Sequence, residues 1–389
     1  MNRLIQILLI CYVGLVLINS LLLPPIDFMS IDNLLFPFAF IVIVFQYRRN
    51  KIFQLSLALA IFTIVGCLYS NYLADGLSFG EFLWSIRVLK LFIIGWSVYF
   101  LAQGYPIILN KMILISFLLF VLINALQLIE WNVILKTYAP NKIVLDEFKN
   151  SFFDGRVFGV FSNPNSNGLV LSLFGYYFLL RKGKYRYLLV TITFSLLLMT
   201  QSRTAFIAFG CALLLLLFFK TMEKGRMYGV ITLTLGSILV LFLARLKLTN
   251  LSSLFNGTAF KSNSVNTRFD IGNKVLQVNE SDIIFGQGKI TNIPSVVGGS
   301  IDNEFLYVYL EYGVYGIIAS LLFIILISCF SFSIENKKTT FGLILIMLIC
   351  GLTNLSFSSL EVSGVFMVLL ITSFSNEKEI DEHKAAQNY

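Results

Sequence analysis

Residues 1–23 read MNRLIQILLICYVGLVLINSLLL, and no charged side chain follows Arg3 within this stretch. A hydrocarbon core about 30 Å thick is crossed by about 20 apolar residues, so the run is long enough to span a bilayer. Its basic start resembles that of a signal peptide, but the apolar run is too long and contains no Ala-x-Ala cleavage site. The stretch therefore predicts a retained transmembrane helix.

The composition of the whole chain agrees with this opening stretch. Of the 389 residues, 57% are hydrophobic and 13% are charged. Ordinary soluble domains are roughly half apolar and about a quarter charged. We therefore predict a single membrane-embedded domain over residues 1–389.

Further apolar runs follow along the chain, separated by short polar stretches. Hydropathy predicts helices at residues 4–23, 34–47, 52–70, 82–102, 107–129, 166–181, 187–201, 204–220, 227–244, 305–330, 341–353 and 361–375. The pattern predicts an all-α polytopic membrane protein with about twelve transmembrane helices.

The distribution of positive charge predicts the orientation of the helices. The net charge is +8, but the basic residues lie in short clusters at the ends of apolar runs, which argues against a nucleic-acid partner. The loops at 24–33 and 71–81 contain no Lys or Arg. Because positive charge is retained on the cytoplasmic side, we expect both termini there, including the tail at 376–389.

Cysteine and histidine usage predicts neither a disulfide framework nor a metal site, and we expect no cofactor. The single histidine, His383, lies in the charged tail. The cysteines all lie inside apolar runs without CxxC spacing, at Cys11, Cys67, Cys211, Cys329 and Cys350.

Two long loops are predicted on the outer face, at 130–165 and 245–304, and loops of this length are usually functional or disordered. The first ends in RVFGVFSNPNSNG, which begins at Arg156. Asn163 and Asn165 could cap the helix that follows or bind a ligand. Capping does not explain Arg156.

Two more arginines lie in outer segments. Arg203 lies in the hairpin TQSRT, where it could snorkel at the interface or bind an anion together with the following helix N-terminus. Arg268 lies on a predicted amphipathic interfacial helix at 267–278, where it could reach the membrane surface or be solvated. Gly286 and Gly288 are best interpreted as a turn, since Gly-x-Gly follows no strand here.

The large loop enters the tenth helix as SIDNEFLYVYLEYGVYG, residues 300–316. Asp302 and Asn303 could form an ordinary N-cap or take part in chemistry. Glu311 would lie about two turns inside the membrane, where carboxylates are usually functional or paired. Arg87 and Lys90, three residues apart on the fourth helix, are suitable partners for it or ligands for phosphate.

In their order and spacing on one face, these motifs resemble those of the bacterial O-antigen and capsule polymerases (Wzy type) and of their relatives, the O-antigen ligases. These proteins belong to the membrane glycosyltransferase class GT-C. The motif resemblance covers residues 156–168, 202–204, Arg268 with the two glycines, and 302–316. Ligases usually have His at the position of Asp302, so the departure favours a polymerase.

The resemblance implies a GT-C-like fold and an inverting, metal-independent transfer of a glycan. The donor would be undecaprenyl diphosphate, and the acceptor would be a sugar hydroxyl of another lipid-linked repeat unit. The reaction would occur at the outer, periplasmic face of the bacterial plasma (inner) membrane. It would serve the synthesis of cell-envelope polysaccharides: O-antigen for lipopolysaccharide, capsule or exopolysaccharide. Implied partners are the undecaprenyl diphosphate-linked oligosaccharide, membrane lipids, a chain-length regulator and a flippase.

The resemblance also implies roles for individual residues. The charge of the leaving diphosphate would be met by Arg156, Arg203 and Arg268, with Arg87 and Lys90 as further candidates. Asp302 would be the general base, with Glu304 in reserve. Substrate-binding or structural roles fall to Asn163, Asn165, Asn303, Tyr307 and Glu311.

Two alternatives stay open at this point. A ligase would use the same donor with a different acceptor. A lipid-linked oligosaccharide flippase would place its charges near the bilayer midplane and show internal repeats. The unusual charges here lie in the outer halves of the predicted helices, so we rank the flippase third.

Overall fold

The computed structural model describes residues 2–23, 31–75, 86–129, 132–138, 156–161, 163–181, 185–224, 263–278, 283–288, 303–329, 334–352 and 359–375. All regular secondary structure in these ranges is helical. The α-helices are α1 (Asn2–Leu21), α2 (Phe36–Tyr47), α3 (Lys51–Asp75), α4 (Arg87–Gly104), α5 (Pro106–Leu128), α6 (Asn132–Tyr138), α7 (Pro164–Leu180), α8 (Arg186–Thr200), α9 (Arg203–Lys224), α10 (Asn263–Val278), α11 (Glu304–Cys329), α12 (Ile334–Gly351) and α13 (Leu360–Ser375). Short 3₁₀ turns occupy Ile31–Leu34 and Gly159–Phe161.

Each helix predicted from hydropathy has a counterpart among these elements, except that at 227–244, which lies outside the described residues. Among the described helices, those long and apolar enough to cross a membrane contain Arg3–Leu21, Lys51–Leu73, Pro106–Leu128 and Glu304–Leu322. Several others are apolar but shorter. The chain thus has the helices of a multi-pass membrane protein, while the number of twelve spans stays a prediction.

Helix α7 lies at the centre of the packing. Every residue from Ser166 to Phe178 is buried, and the helix contacts α8, α9, α12 and α13. A helix that is apolar on all sides is expected to be enclosed by other helices in this way. Gly168 permits the closest approach, because a Cβ atom there would lie 2.9 Å from the Ser202 Cβ and 3.0 Å from the Ala205 Cβ.

The solvent-accessible face of α3 carries large apolar side chains. In a soluble protein a patch of this kind would be unfavourable, but it suits contact with lipid. Large side chains exposed on this helix include Ile52, Leu55, Ile61, Phe62 and Val65.

The helix ends that the sequence assigns to the outer face contact one another. Helix α6, which hydropathy did not predict, is tied to the end of α1 because the Tyr138 hydroxyl donates to the Leu22 carbonyl. The Tyr138 hydroxyl is protonated at neutral pH and can donate, and burial raises its pKa further above the ordinary value.

Helix α11 is broken at Gly313, which has φ 60° and ψ −152°. A regular helix would pair the Val314 N–H with the Leu310 carbonyl and the Tyr315 N–H with the Glu311 carbonyl. Instead, the two N–H groups donate to Ile283 O (2.9 Å) and Ile284 O (3.0 Å). The two carbonyls accept from Gln287 N and Gly288 N, each at 2.8 Å. The turn at 283–288 therefore replaces the hydrogen bonds that the break removes.

Candidate active site

Arg156 links two of the sequence motifs. Its Nε donates to the Thr200 carbonyl at 3.0 Å, and its Nη2 donates to Asn165 Oδ1 at 2.8 Å. The neighbouring Val157 N–H donates to Met199 O at 3.0 Å. The segment that begins at Arg156 and the α8–α9 turn thus form one unit, and Arg203 follows this turn as the first residue of α9.

Each of the two helices that begin at this unit is capped by the side chain of the residue that precedes it. The Asn165 N–H donates to Asn163 Oδ1 at 2.8 Å, so Asn163 is an N-cap of α7. The Ala205 N–H donates to Ser202 Oγ at 3.4 Å. Ser202 therefore occupies one of the N–H groups at the start of α9 that the sequence analysis considered as donors to an anion. Between α8 and α9, Gln201 turns the chain with a left-handed φ of 50°.

A second group of predicted residues surrounds a cavity of about 190 Å³ between α3, α4, α11 and α13. Most of its lining is apolar. Its charged members are Arg87, Glu304 and Glu311, and its phenolic members are Tyr307, Tyr312 and Tyr315. Glu304 and Glu311 are 2% and 0% exposed. A buried carboxylate next to an apolar cavity is a setting in which a general base is commonly found.

The polar contacts around this cavity are defined. The Tyr307 hydroxyl donates to Glu311 Oε1 at 2.7 Å. Asn303 caps α11, because its Oδ1 accepts from the Phe305 and Leu306 N–H groups at 2.9 and 3.1 Å. The capping interpretation of Asn303 is therefore confirmed.

The break in α11 is fastened to α3 beside the cavity. Ser70 Oγ lies 2.5 Å from the Phe285 carbonyl and 2.8 Å from the Glu311 carbonyl. A Cβ atom at Gly286 would lie 2.5 Å from Gly313 N, so only glycine fits the turn at that position. The two glycines that the sequence assigned to a turn do form one, and its function here is to brace α11.

Lys90 is placed differently from Arg87. Its Nζ forms a salt bridge with Asp32 Oδ2 at 2.7 Å and donates to Asn33 Oδ1 at 2.6 Å. Both charged side chains are buried, at 7% and 2% exposure. The positive charge of Lys90 is thus balanced within the protein, which gives it a structural function alongside the phosphate-binding role predicted from sequence.

Two of the predicted site residues cannot be placed next to the others. Asp302 lies outside the described residues. Arg268 lies in α10, but its side chain is outside the part of the chain whose side chains the structure describes. Helix α10 itself packs on α11 through Ile271 and Val275, which contact Tyr307 and Leu310. Within the described residues, no group of three His, Cys, Asp or Glu side chains could hold a metal ion.

Sequence reasoning missed several buried polar residues that position these groups. On α5, Asn124 contacts Asn167 of α7 and Gln127 contacts the Gly159 backbone. On α3, Ser70 contacts the α11 break. Their signal was present in the sequence, since each is a polar residue within an apolar run. Such residues in a membrane helix usually face the protein interior.

Comparison with known proteins gives one finding. Residues 188–321 match the sequence model of the family described as O-antigen ligase. The match covers less than half of the chain; it includes Arg203, Arg268, Asp302 and Glu304 but not Arg156. No curated protein matches the chain. The match supports a relation to the O-antigen ligase and polymerase superfamily and does not distinguish a polymerase from a ligase.

Proposed function

We propose that the chain is a polysaccharide polymerase that transfers a glycan from undecaprenyl diphosphate to a sugar hydroxyl of another lipid-linked repeat unit. The observation that carries the proposal is the unit in which Arg156 is held by Asn165 and the Thr200 carbonyl, next to the turn that leads to Arg203. The family match over residues 188–321 adds support that does not depend on the structure, because it favours a function in polysaccharide biosynthesis.

In the proposed reaction, the bond between the anomeric carbon and the diphosphate oxygen breaks, and a bond from the acceptor oxygen to that carbon forms. The electron pair of the broken bond leaves with the lipid diphosphate, and the acceptor proton goes to a carboxylate base. A single displacement of this kind inverts the anomeric centre. In the absence of a metal, arginines would stabilise the charge of the leaving group, because a guanidinium can bind phosphate oxygens through two parallel hydrogen bonds.

The candidate residues fall into two groups, one for the donor diphosphate and one for the acceptor. We assign the diphosphate to Arg156, Arg203 and Arg268, and the acceptor to the cavity lined by Glu304 and Glu311. Asp302, two residues before Glu304, remains our candidate for the base. Helix α12 contacts α7, α9 and α11, so helices of both groups pack in one bundle. That the two groups form one site is part of the proposal.

Reaction at the outer face of the bacterial plasma membrane is part of the proposal. The support is the charge pattern, since the predicted outer loops 24–33 and 71–81 carry no Lys or Arg. Reporters fused near residues 183 and 224 are expected to be cytoplasmic, and an external signal at either position would contradict the orientation.

A ligase is the second candidate, because the family match over residues 188–321 is compatible with either activity. Incubating the purified, lipid-reconstituted protein with its lipid diphosphate-linked repeat unit as sole substrate separates the two candidates. A ladder of multiples on a gel is expected, because the same molecule must then serve as donor and acceptor. Folded protein that yields no ladder, but transfers glycan once a different acceptor is added, would be a ligase.

A further inference from the structure

The backbone around Phe158 is buried among helices without belonging to a regular helix. Val157, Phe158 and Gly159 are buried, and Gly159 has a φ of +59°. Peptide groups of such a segment lack the partners that a helix supplies, and an unpaired peptide group in an apolar interior is costly. Buried non-helical backbone in a membrane protein is tolerated only where protein groups supply its hydrogen bonds.

Side-chain amides supply those partners. Gln127 pairs with both peptide groups of Gly159: its Nε2 donates to Gly159 O, and its Oε1 accepts from Gly159 N, each at 2.9 Å. Asn167 Nδ2 lies 3.2 Å from the Val157 carbonyl and 2.7 Å from Asn124 Oδ1. All three amide side chains are completely buried. Gln127 therefore binds the segment as a neighbouring strand would.

Arg156 directly precedes the segment that Gln127 holds. The Val157 N–H donates to Met199 O, and the Arg156 guanidinium contacts Thr200 O and Asn165 Oδ1. The backbone on one side of Arg156 is thus fixed by α5, while the guanidinium is fixed by α7 and α8. A shift of the segment would move the guanidinium away from both acceptors.

We infer that Gln127 is a positioning residue, which acts through the Val157–Gly159 backbone to hold the Arg156 guanidinium where it meets the diphosphate of the substrate. This inference rests on the proposed function, because Arg156 is assigned there to the diphosphate. Within this unit, Gln127 forms hydrogen bonds to backbone atoms only, those of Gly159. It takes no part in bond making. Asn124 assists it by holding Asn167.

The test uses the full-length protein in detergent. Gln127→Met has nearly the same shape but lacks both hydrogen-bonding groups, and Asn124→Leu removes the second support in case the first variant fails to fold. Ile113→Ala is the matched control, because Ile113 is a fully buried residue of the same helix without a polar contact to the segment. It should destabilise α5 without loosening Gly159.

Hydrogen exchange of a peptide that covers residues 156–161 tests the geometry. Exchange is expected to be faster in Gln127→Met than in the wild type, and unchanged in Ile113→Ala. Equal exchange in Gln127→Met and in the wild type would overturn the inference.

Equilibrium binding of farnesyl diphosphate, a soluble isoprenoid diphosphate, tests the consequence. Gln127→Met should weaken binding about 10-fold to 100-fold, the range expected for a hydrogen bond to a charged group. In an Arg156→Ala background the same change should have no further effect, because Gln127 acts only through Arg156. Additive losses in the double variant would overturn the positioning role. A wild type that does not bind the probe, with faster exchange in Gln127→Met, would instead refute the diphosphate assignment of the proposed function.

Discussion

Substituting Gly286 by Ala is expected to damage the brace of the broken helix α11. An alanine Cβ would lie 2.5 Å from Gly313 N and 2.7 Å from both Glu311 C and Tyr312 N, all of which are backbone atoms that cannot rotate away. Gly286 also has a φ of 71°, a conformation that adds about 1–2 kcal/mol for a residue with a Cβ. With overpacking at about 1–3 kcal/mol, the expected loss of stability is about 2–5 kcal/mol.

The assay is a denaturant titration of the purified protein, followed by polymer formation from the folded fraction. Gly210→Ala is the control, since nothing lies within 4 Å of a Cβ atom there and the residue lies inside α9. That change should stabilise the helix by about 0.5–1 kcal/mol. Polymer formation should fall in Gly286→Ala, because Glu311 and the cavity lie beside the break. Equal unfolding midpoints for the two variants would refute the account of how α11 is held.

Three other single variants and one double variant test the assignments of individual residues. Asp32→Asn leaves Lys90 buried without its carboxylate and should lower stability by about 3–5 kcal/mol in the same titration, and an unchanged midpoint would contradict the salt bridge. If the double variant Asp32→Asn, Lys90→Met recovers stability and still makes polymer, the charge of Lys90 is not needed by the substrate. Tyr307→Phe removes the donor to Glu311 and should cost about 1.5–3 kcal/mol, whereas wild-type stability would show that the bond contributes nothing. Asp302→Asn should abolish polymer while the unfolding midpoint is retained, and full activity would transfer the role of base to another carboxylate.

The helices were predictable because their apolar runs are long and separated by short polar stretches. The cap formed by Asn303 was one of the two interpretations that the sequence allowed, since Asn is favoured at the position before a helix. The break at Gly313 was not, because the sequence around it, EYGVYG, is as hydrophobic as a continuous helix. Only the turn at 283–288, distant in sequence, supplies the hydrogen bonds that make the break stable.

The grouping of site residues could be predicted only in part. The sequence identified Arg156 and the Arg203 hairpin separately, and their contact depends on how closely α7 and α9 pack at Gly168. It treated Arg87 and Lys90 as equivalent because they are three residues apart on one helix. The structure separates them, since Lys90 meets Asp32 of the preceding outer segment while Arg87 lines the cavity. Partners distant in sequence decide such differences, and hydropathy does not contain them.

The central claim is that glycan is transferred from a lipid diphosphate to a sugar hydroxyl. The most direct measurement is a time course of the purified protein with its lipid diphosphate-linked repeat unit, in which mass spectrometry counts free lipid diphosphate and nuclear magnetic resonance counts new glycosidic bonds. The account predicts one lipid diphosphate released for each bond formed, with inverted configuration at the transferred sugar. Release without new glycosidic bonds, or substrate that crosses the bilayer unchanged, would contradict it.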